Sequence, residues 1–299
     1  MRVWAKSGVA FNGVIAVVVG LGCALFALMA GLAWPAIVAT SVALAGIAWL
    51  MTIRQDIRRH FVVKHPFPDE WHEILNRSVS FYRKLDEPAK RRFERDVQIF
   101  LGEQRIYGVE GQEVPIETKL LVAASAATLS HGRPDWEWGR TRDIVVYPKA
   151  FNDEYDVADG AKIAGMVQEH GPILFSDRDL KYGYQRSADG YNVGLHELAH
   201  VVDLEDGRAD GIPGDLNWMA AMPWTDRIHK DLTNKHGRHL KRLLGNYAYT
   251  NEAEFFAVSV EAFFERPKKL EQRDPELYRL LSHYFNVDPR TGRVIEPVD

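Results

Sequence analysis

Hydrophobic and polar positions are distributed very unevenly along this chain. Positions 7 to 53 form 47 consecutive residues without one Asp, Glu, Lys, Arg or His. A hydrocarbon core of about 30 Å takes about 20 helical residues, so this run suffices for two spans and is too long for one. The pattern predicts a transmembrane helical hairpin within residues 1–60, with spans near Val9–Leu32 and Ala36–Ile53. Trp34-Pro35 would lie between them as interfacial aromatic and helix breaker. Small residues at Gly13, Ala16, Gly20, Ala24, Ala27 and Gly31 recur at helical spacing, which would let the two helices pack closely. The competing reading is a signal peptide cut after Gly31-Leu32-Ala33, but the first apolar run is long for a signal core and a second span follows.

Residues 61–299 read as a separate domain with mixed patterning. Asp69–Leu85 carries apolar residues mostly at helical spacing, Pro88 opens a helix to about Leu101, and another runs from about Glu117 to Leu129, ended by Gly132. Asp143–Tyr147 and Pro172–Ser176 are short apolar runs bounded by turn residues and predict strands. Helices dominate after Asn192, so the fold class is α+β, mainly helical with a small sheet. Asn246 to Phe264 predicts a helix with a Thr/Asn start, Glu in its first turn and Pro267 beyond its end.

Charge separates the two parts. Residues 1–60 sum to +4 and residues 61–299 to −8, for a net −4. Arg2 and Lys6 flank one end of the apolar run and Arg54, Arg58, Arg59 and Lys64 the other, while the linking turn has no cation. The positive-inside rule then places both ends, and the domain after them, in the cytoplasm, as a multi-pass protein of the inner membrane held in the bilayer by residues 9–53. With no overall basic field, nucleic acid is excluded as an expected partner. A lone cysteine, Cys23, leaves no disulfide and no multi-cysteine metal site, so a metal must be held by His and carboxylates.

Gly194 to Asp203 contains His-Glu-x-x-His. On a helix, His196 and His200 lie one turn apart on one face and can hold one zinc ion. Glu197, about 100° round the helix, can reach a water on that ion without being a ligand, as a general base does. Downstream, Glu254 and Glu261 are carboxylates among Ala and Phe, costly there unless a cation pairs with them. Seven residues apart, about 10 Å along the axis, they cannot both bind one ion. One is a ligand and the other supports. Asp206, six residues after His200, is an alternative third ligand, but that arrangement needs Gly where this chain has Asp203. His229, His236 and His239 lie in a charged stretch and read as a solvated helix face. Tyr247 and Tyr249 are rival hydroxyl donors for an oxyanion.

These residues resemble the MtfA-like zinc peptidases, bacterial proteins whose catalytic core looks like that of anthrax lethal factor. The matching pieces are Phe100-Leu101-Gly102-Glu103, Gly171-Pro172-Ile173-Leu174, Gly190-Tyr191-Asn192, His196 to Asp203, Asp210-Gly211-Ile212-Pro213 and Tyr247 to Phe264. The resemblance implies a zincin-like core, one zinc ion per chain, His196, His200 and Glu254 as its ligands, Glu197 as catalytic base, and Tyr247 as oxyanion donor. Two features depart from it. The soluble members lack the hairpin, and Val258 stands where a thermolysin-like enzyme has Asp, leaving Asp203 and Glu261 as candidates to support the histidines. The expected activity is peptide-bond hydrolysis on a peptide or protein substrate. The rival is a zinc-containing regulatory domain that grips a protein partner and cleaves little, against which Glu197 argues, because a structural zinc site has no use for it.

Overall fold

The structure is a computed structural model describing residues 6–31, 33–138, 143–152, 154–157, 162–168, 171–186, 189–233 and 238–295, with the backbone alone for 6–12, 233, 238 and 239. The chain divides into two compact units, Met1–Pro66 and Phe67–Asp299.

The first unit is two helices, α1 (Lys6–Met29) and α2 (Trp34–Lys64), joined through Gly31 at φ 72°. The helix-compatible stretch is longer than expected. Pro35 does not separate the helices but sits in the first turn of α2, where its fixed φ fits and its missing N–H is not needed. With no breaker before His65-Pro66, α2 continues past Ile53 through Arg54, Arg58 and Arg59. α1 ends at Met29, before the expected Leu32, which lies outside the described residues, as does Arg2. Gly20 faces α2, where a Cβ would come within 3.2 Å of the Ala45 Cβ, and Ala16 and Ala27 are buried, whereas Gly13 and Gly31 face open space. Among the described residues one helix, α2, is long and apolar enough to cross a membrane, and the apolar Gly13–Met29 of α1 is shorter.

The second unit begins with α3 (Asp69–Ser78) and α4 (Ser80–Arg83), where a single helix to Leu85 was expected. Val79 breaks it with extended φ −97°, ψ 99°, which lets this β-branched residue, Phe81 and Tyr82 all turn inward. Then come α5 (Glu87–Glu103), β1 (Ile106–Gly108), α6 (Ile116–Ser130), β2 (Ile144–Tyr147), β3 (Gly165–Val167), β4 (Ile173–Ser176) and α7 (Asp177–Gln185). The remainder is α8 (Val193–Asp203), α9 (Trp218–Thr233), α10 (Arg238–Leu244), α11 (Glu252–Glu265), α12 (Pro267–Arg273), α13 (Pro275–Phe285) and a small hairpin, β5 (Val287–Asp288) with β6 (Arg293–Val294).

α6 is buried almost all round, as its Ala-rich sequence allows. α8 lies tightly against it: a Cβ at Gly194 would fall 2.1 Å from the Ser125 Oγ, so only glycine fits there. Phe81, Phe93 and Phe285 form one aromatic cluster with Phe263 and Phe264 of α11. The sheet order is β1-β2-β4-β3, parallel except for the antiparallel pair β3–β4. β4 is therefore interior, β1 and β3 are the edges, and just before β3 Ile163 is bridged to Phe151.

Candidate active site

Two capped helices set the site. The Asn192 side chain accepts from the Leu195 N–H at 3.1 Å and starts α8, while the Asn251 side chain accepts from the Glu254 N–H at 2.9 Å and starts α11. The two helices pack side by side, which brings His196, His200, Glu254 and Glu261 together. His196 Nε2 and His200 Nε2 are 3.2 Å apart, and Glu254 Oε2 is 3.1 Å from the first and 3.6 Å from the second. This Oε2 is buried and makes no well-formed hydrogen bond among the described residues.

Three ligand atoms gathered within such distances could hold a cation. Zinc bonds of 2.0–2.1 Å arranged tetrahedrally give ligand–ligand edges of about 3.3 Å, the mean of these three separations. The residues fit the ion. Among the described residues this is the one group of three His, Cys, Asp or Glu side chains close enough to hold a metal.

His196 also explains the second carboxylate. Its Nδ1 lies 2.8 Å from Glu261 Oε1, so an N–H donated there leaves Nε2 with its lone pair toward Glu254. Glu261, 3% exposed, also accepts from the Asn192 backbone N–H at the first turn of α8. Burial alone would lower the His196 pKa, but the carboxylates of Glu254 and Glu261 outweigh it and raise it well above the ordinary value. Glu254 moves the opposite way: burial would raise its pKa, and the two imidazoles hold it far below the carboxylate range.

Glu197 is buried, and burial raises its pKa. Its side chain lies against the backbone of Gly165, where a Cβ would stand 2.5 Å from Glu197 Oε1. The Tyr247 ring centroid is 6.0 Å from that of His196, and its hydroxyl pKa is raised by burial and by the Glu254 charge. Tyr249 instead packs on Phe255 at 5.8 Å beneath Lys241. Asp206 binds Arg208, away from the histidines. Asp203 is fully buried beside the Gly211 and Ile212 backbone, where burial pushes its pKa up to about 7. Of the charged-stretch histidines, His229 is exposed, and His236 and the His239 side chain lie outside the described residues.

A cleft of about 520 Å³ takes in His196, Glu197, Tyr247 and Glu261 and is walled by Ile163 to Gly165, Tyr191, Val193, Leu244 and Val258. The profile of the glucose-regulated metallo-peptidase M90 family matches residues 53–286. The chain belongs to this family. The match leaves residues 1–52 outside it. An uncharacterised protein of Synechocystis is 28% identical over 246 residues, 78% of this chain and 90% of that protein. Mlc titration factor A of Yersinia pestis and of Yersinia pseudotuberculosis is 27% identical over 243 residues, 74% of this chain and 85% of each relative. The MtfA-like resemblance holds, and M90 family membership makes the chain metallopeptidase-like with a peptide or protein as the kind of substrate.

What the sequence reading missed is β3. The strand predicted at Pro172–Ser176 is β4, and it is paired on both sides, so it offers no edge to an extended peptide. Ala164 O accepts from Ser176 N and Gln168 N donates to Pro172 O. By antiparallel alternation the amides of Gly165 and Val167 therefore point to the outer edge. No periodic signal announces a three-residue strand.

Proposed function

We propose that this M90 family member is a membrane-tethered zinc peptidase, with residues 1–60 as a two-span hairpin and residues 61–299 as a zincin-like domain in the cytoplasm. The observation that carries the reading is the convergence of His196 Nε2, His200 Nε2 and Glu254 Oε2 beside an unligated, buried Glu197. Zinc held by those three residues supplies Lewis-acid polarisation of a carbonyl and a nucleophile near neutral pH. The rest is done by the chain. The β3 edge pairs with an extended peptide through the Gly165 and Val167 amides, reading backbone more than side chains. Glu197 takes the proton of the attacking water and passes it to the leaving amine. Tyr247 donates a hydrogen bond to the oxyanion, and Glu261 fixes the His196 tautomer.

The relatives' name, Mlc titration factor A, favours a second reading, a regulatory domain that binds a protein partner and cleaves little. One experiment separates the two: zinc analysis with a peptide-library digest, wild type against Glu197→Gln. The peptidase reading expects equal zinc and turnover lost in the variant. Wild-type zinc with no wild-type cleavage favours the binding reading. For the topology, a reporter fused after Asp299 should work in the cytoplasm, and protease outside intact cells should leave residues 61–299 uncut. External cleavage refutes it.

A further inference from the structure

Away from the helix pair α8 and α11, a cavity of about 640 Å³ opens between the start of α5 and the β5–β6 hairpin. Its walls carry Lys84, Arg92, Arg290 and Arg293 against one carboxylate, Asp86. This concentration of cations stands out in residues 61–299, whose net charge is −8. The charges are not equivalent. Arg290 is neutralised, with Nε and Nη2 on Asp288 at 2.9 and 3.0 Å and Nη1 on Glu271 at 2.6 Å. Asp86 is engaged as the cap of α5, its Oδ1 accepting from Ala89 N at 2.8 Å. Lys84 Nζ donates to the Pro289 carbonyl at 3.1 Å, with Glu265 and Asp288 acting on it from farther off. Among the described residues Arg92 and Arg293 have no carboxylate within ion-pair distance, and Asp96 acts on Arg92 from farther off. Arg92 also helps to lower the His131 pKa, after burial, to about 4, so its charge reaches the inner side of this region.

The wall bearing Arg293 is fixed. Gly292 has φ +70°, a Cβ there would stand 2.2 Å from Leu85 Cδ2, and its carbonyl lies 3.1 Å from His131 Nε2. Arg293 beside that fixed backbone, Arg92 on α5 and Lys84 before it, all exposed, converge as two guanidinium forks and an ammonium. Such a set matches tetrahedral oxygens better than a single carboxylate, which one Arg would satisfy. The volume falls within the range of about 300–1,000 Å³ typical of small-molecule sites. We propose that this cavity binds a phosphate monoester, its dianionic phosphoryl group lying among Lys84, Arg92 and Arg293. The proposal is independent of the peptidase reading. The monoester can be a soluble metabolite or the headgroup of a phosphatidic-acid-type lipid, which present the same group.

The test uses the full chain in neutral detergent, following thermal unfolding with glycerol phosphate or with sodium chloride at matched ionic strength. Glycerol phosphate at saturating concentration should raise the midpoint by about 3 °C or more over chloride. Arg92→Gln with Arg293→Gln should remove that rise while zinc content stays at the wild-type level. Equal protection of both proteins would place the phosphate elsewhere, at the metal for instance, and overturn the proposal, as would chloride protecting equally. If the double variant does not fold, Lys84→Gln decides, with an expected loss of affinity of about tenfold. Nanodiscs of phosphatidylcholine with and without phosphatidic acid distinguish the sources: protection by phosphatidic acid alone, lost in the variant, assigns the lipid headgroup. Protection by neither ligand refutes the site.

Discussion

Gly165→Ala probes the closest contact between the β3 edge and the proposed base. Gly165 does not have a positive φ, so alanine is allowed by the backbone and the obstacle is purely steric. The new methyl would stand 2.5 Å from Glu197 Cγ and Oε1 and 2.7 Å from Cδ. Ordinary carbon contacts lie at about 3.5–4.0 Å, so the carboxylate or the strand must move by about 1 Å. Glu197 is only 6% exposed and has little room to yield. Displacing a general base by that much should lower kcat/KM about 100-fold or more. The overpacking itself should cost about 1–3 kcal/mol of stability. The proposed zinc ligands are not among the atoms the methyl meets, so metal content should match the wild type. The assay is hydrolysis of a quenched fluorescent peptide selected from the library digest, with elemental analysis and a melting curve on the same sample. Activity within twofold of wild type would refute the argument that Gly165 is there to make room for Glu197. Loss of zinc would show the strain passing into α8.

Further expectations bear on the same site. Glu254→Ala should strip zinc, whereas Glu261→Gln, which keeps an acceptor for His196 Nδ1, should weaken it by about 10- to 100-fold; the reverse order, measured by competition with a chelator, would exchange their roles. Tyr247→Phe should lower kcat by about 10- to 1,000-fold with KM little changed and zinc and melting unaltered, while Tyr249→Phe leaves kinetics alone. Kinetic loss in Tyr249→Phe alone would overturn the assignment. Burial raises Asp203 from 3.8 to about 7, so its contribution to stability is full below pH 4 and is lost as pH rises through 7, by at most about 4 kcal/mol. Asp203→Asn should flatten that limb of the stability–pH curve, and an unchanged limb would show that Asp203 is not its source.

Local features of the site were legible because they are local. His196, Glu197 and His200 lie within five residues, and helical periodicity alone places them on adjoining faces. The Asn251 cap and the first-turn carboxylates likewise announce α11. Which of Glu254 and Glu261 comes to the Nε2 atoms of the histidines was not legible from spacing, since it depends on how far α11 slides along α8. β3 was missed for a different reason. Its three residues form a strand because β4 offers them a register, Gly165 opposite Phe175, and not through any propensity of Gly-Met-Val. The continuation of α2 to Lys64 was missed because charged residues were read as an end, whereas helices stop at breakers, here His65-Pro66.

The spacing along α11 explains why one register is selected. Glu254, Val258, Glu261 and Glu265 follow one another at four, three and four residues, a single stripe. The stripe faces α8: Glu254 meets His196 and His200, Glu261 meets His196 Nδ1 and the Asn192 N–H, and Glu265 accepts from Asn192 Nδ2 at 3.2 Å. Three carboxylates on one buried or half-buried stripe repel one another and lose solvation. The N-terminal turn of α8 and the Asn192 side chain compensate Glu261 and Glu265, because N–H donors and the positive end of a helix face them. On α8 only the His196 and His200 imidazoles face Glu254, and they hold its pKa down. A slip by one turn would put Val258 between the histidines and leave that carboxylate outside. This register therefore sets Glu254 against the two histidines, where the proposed zinc ion would complete the pairing.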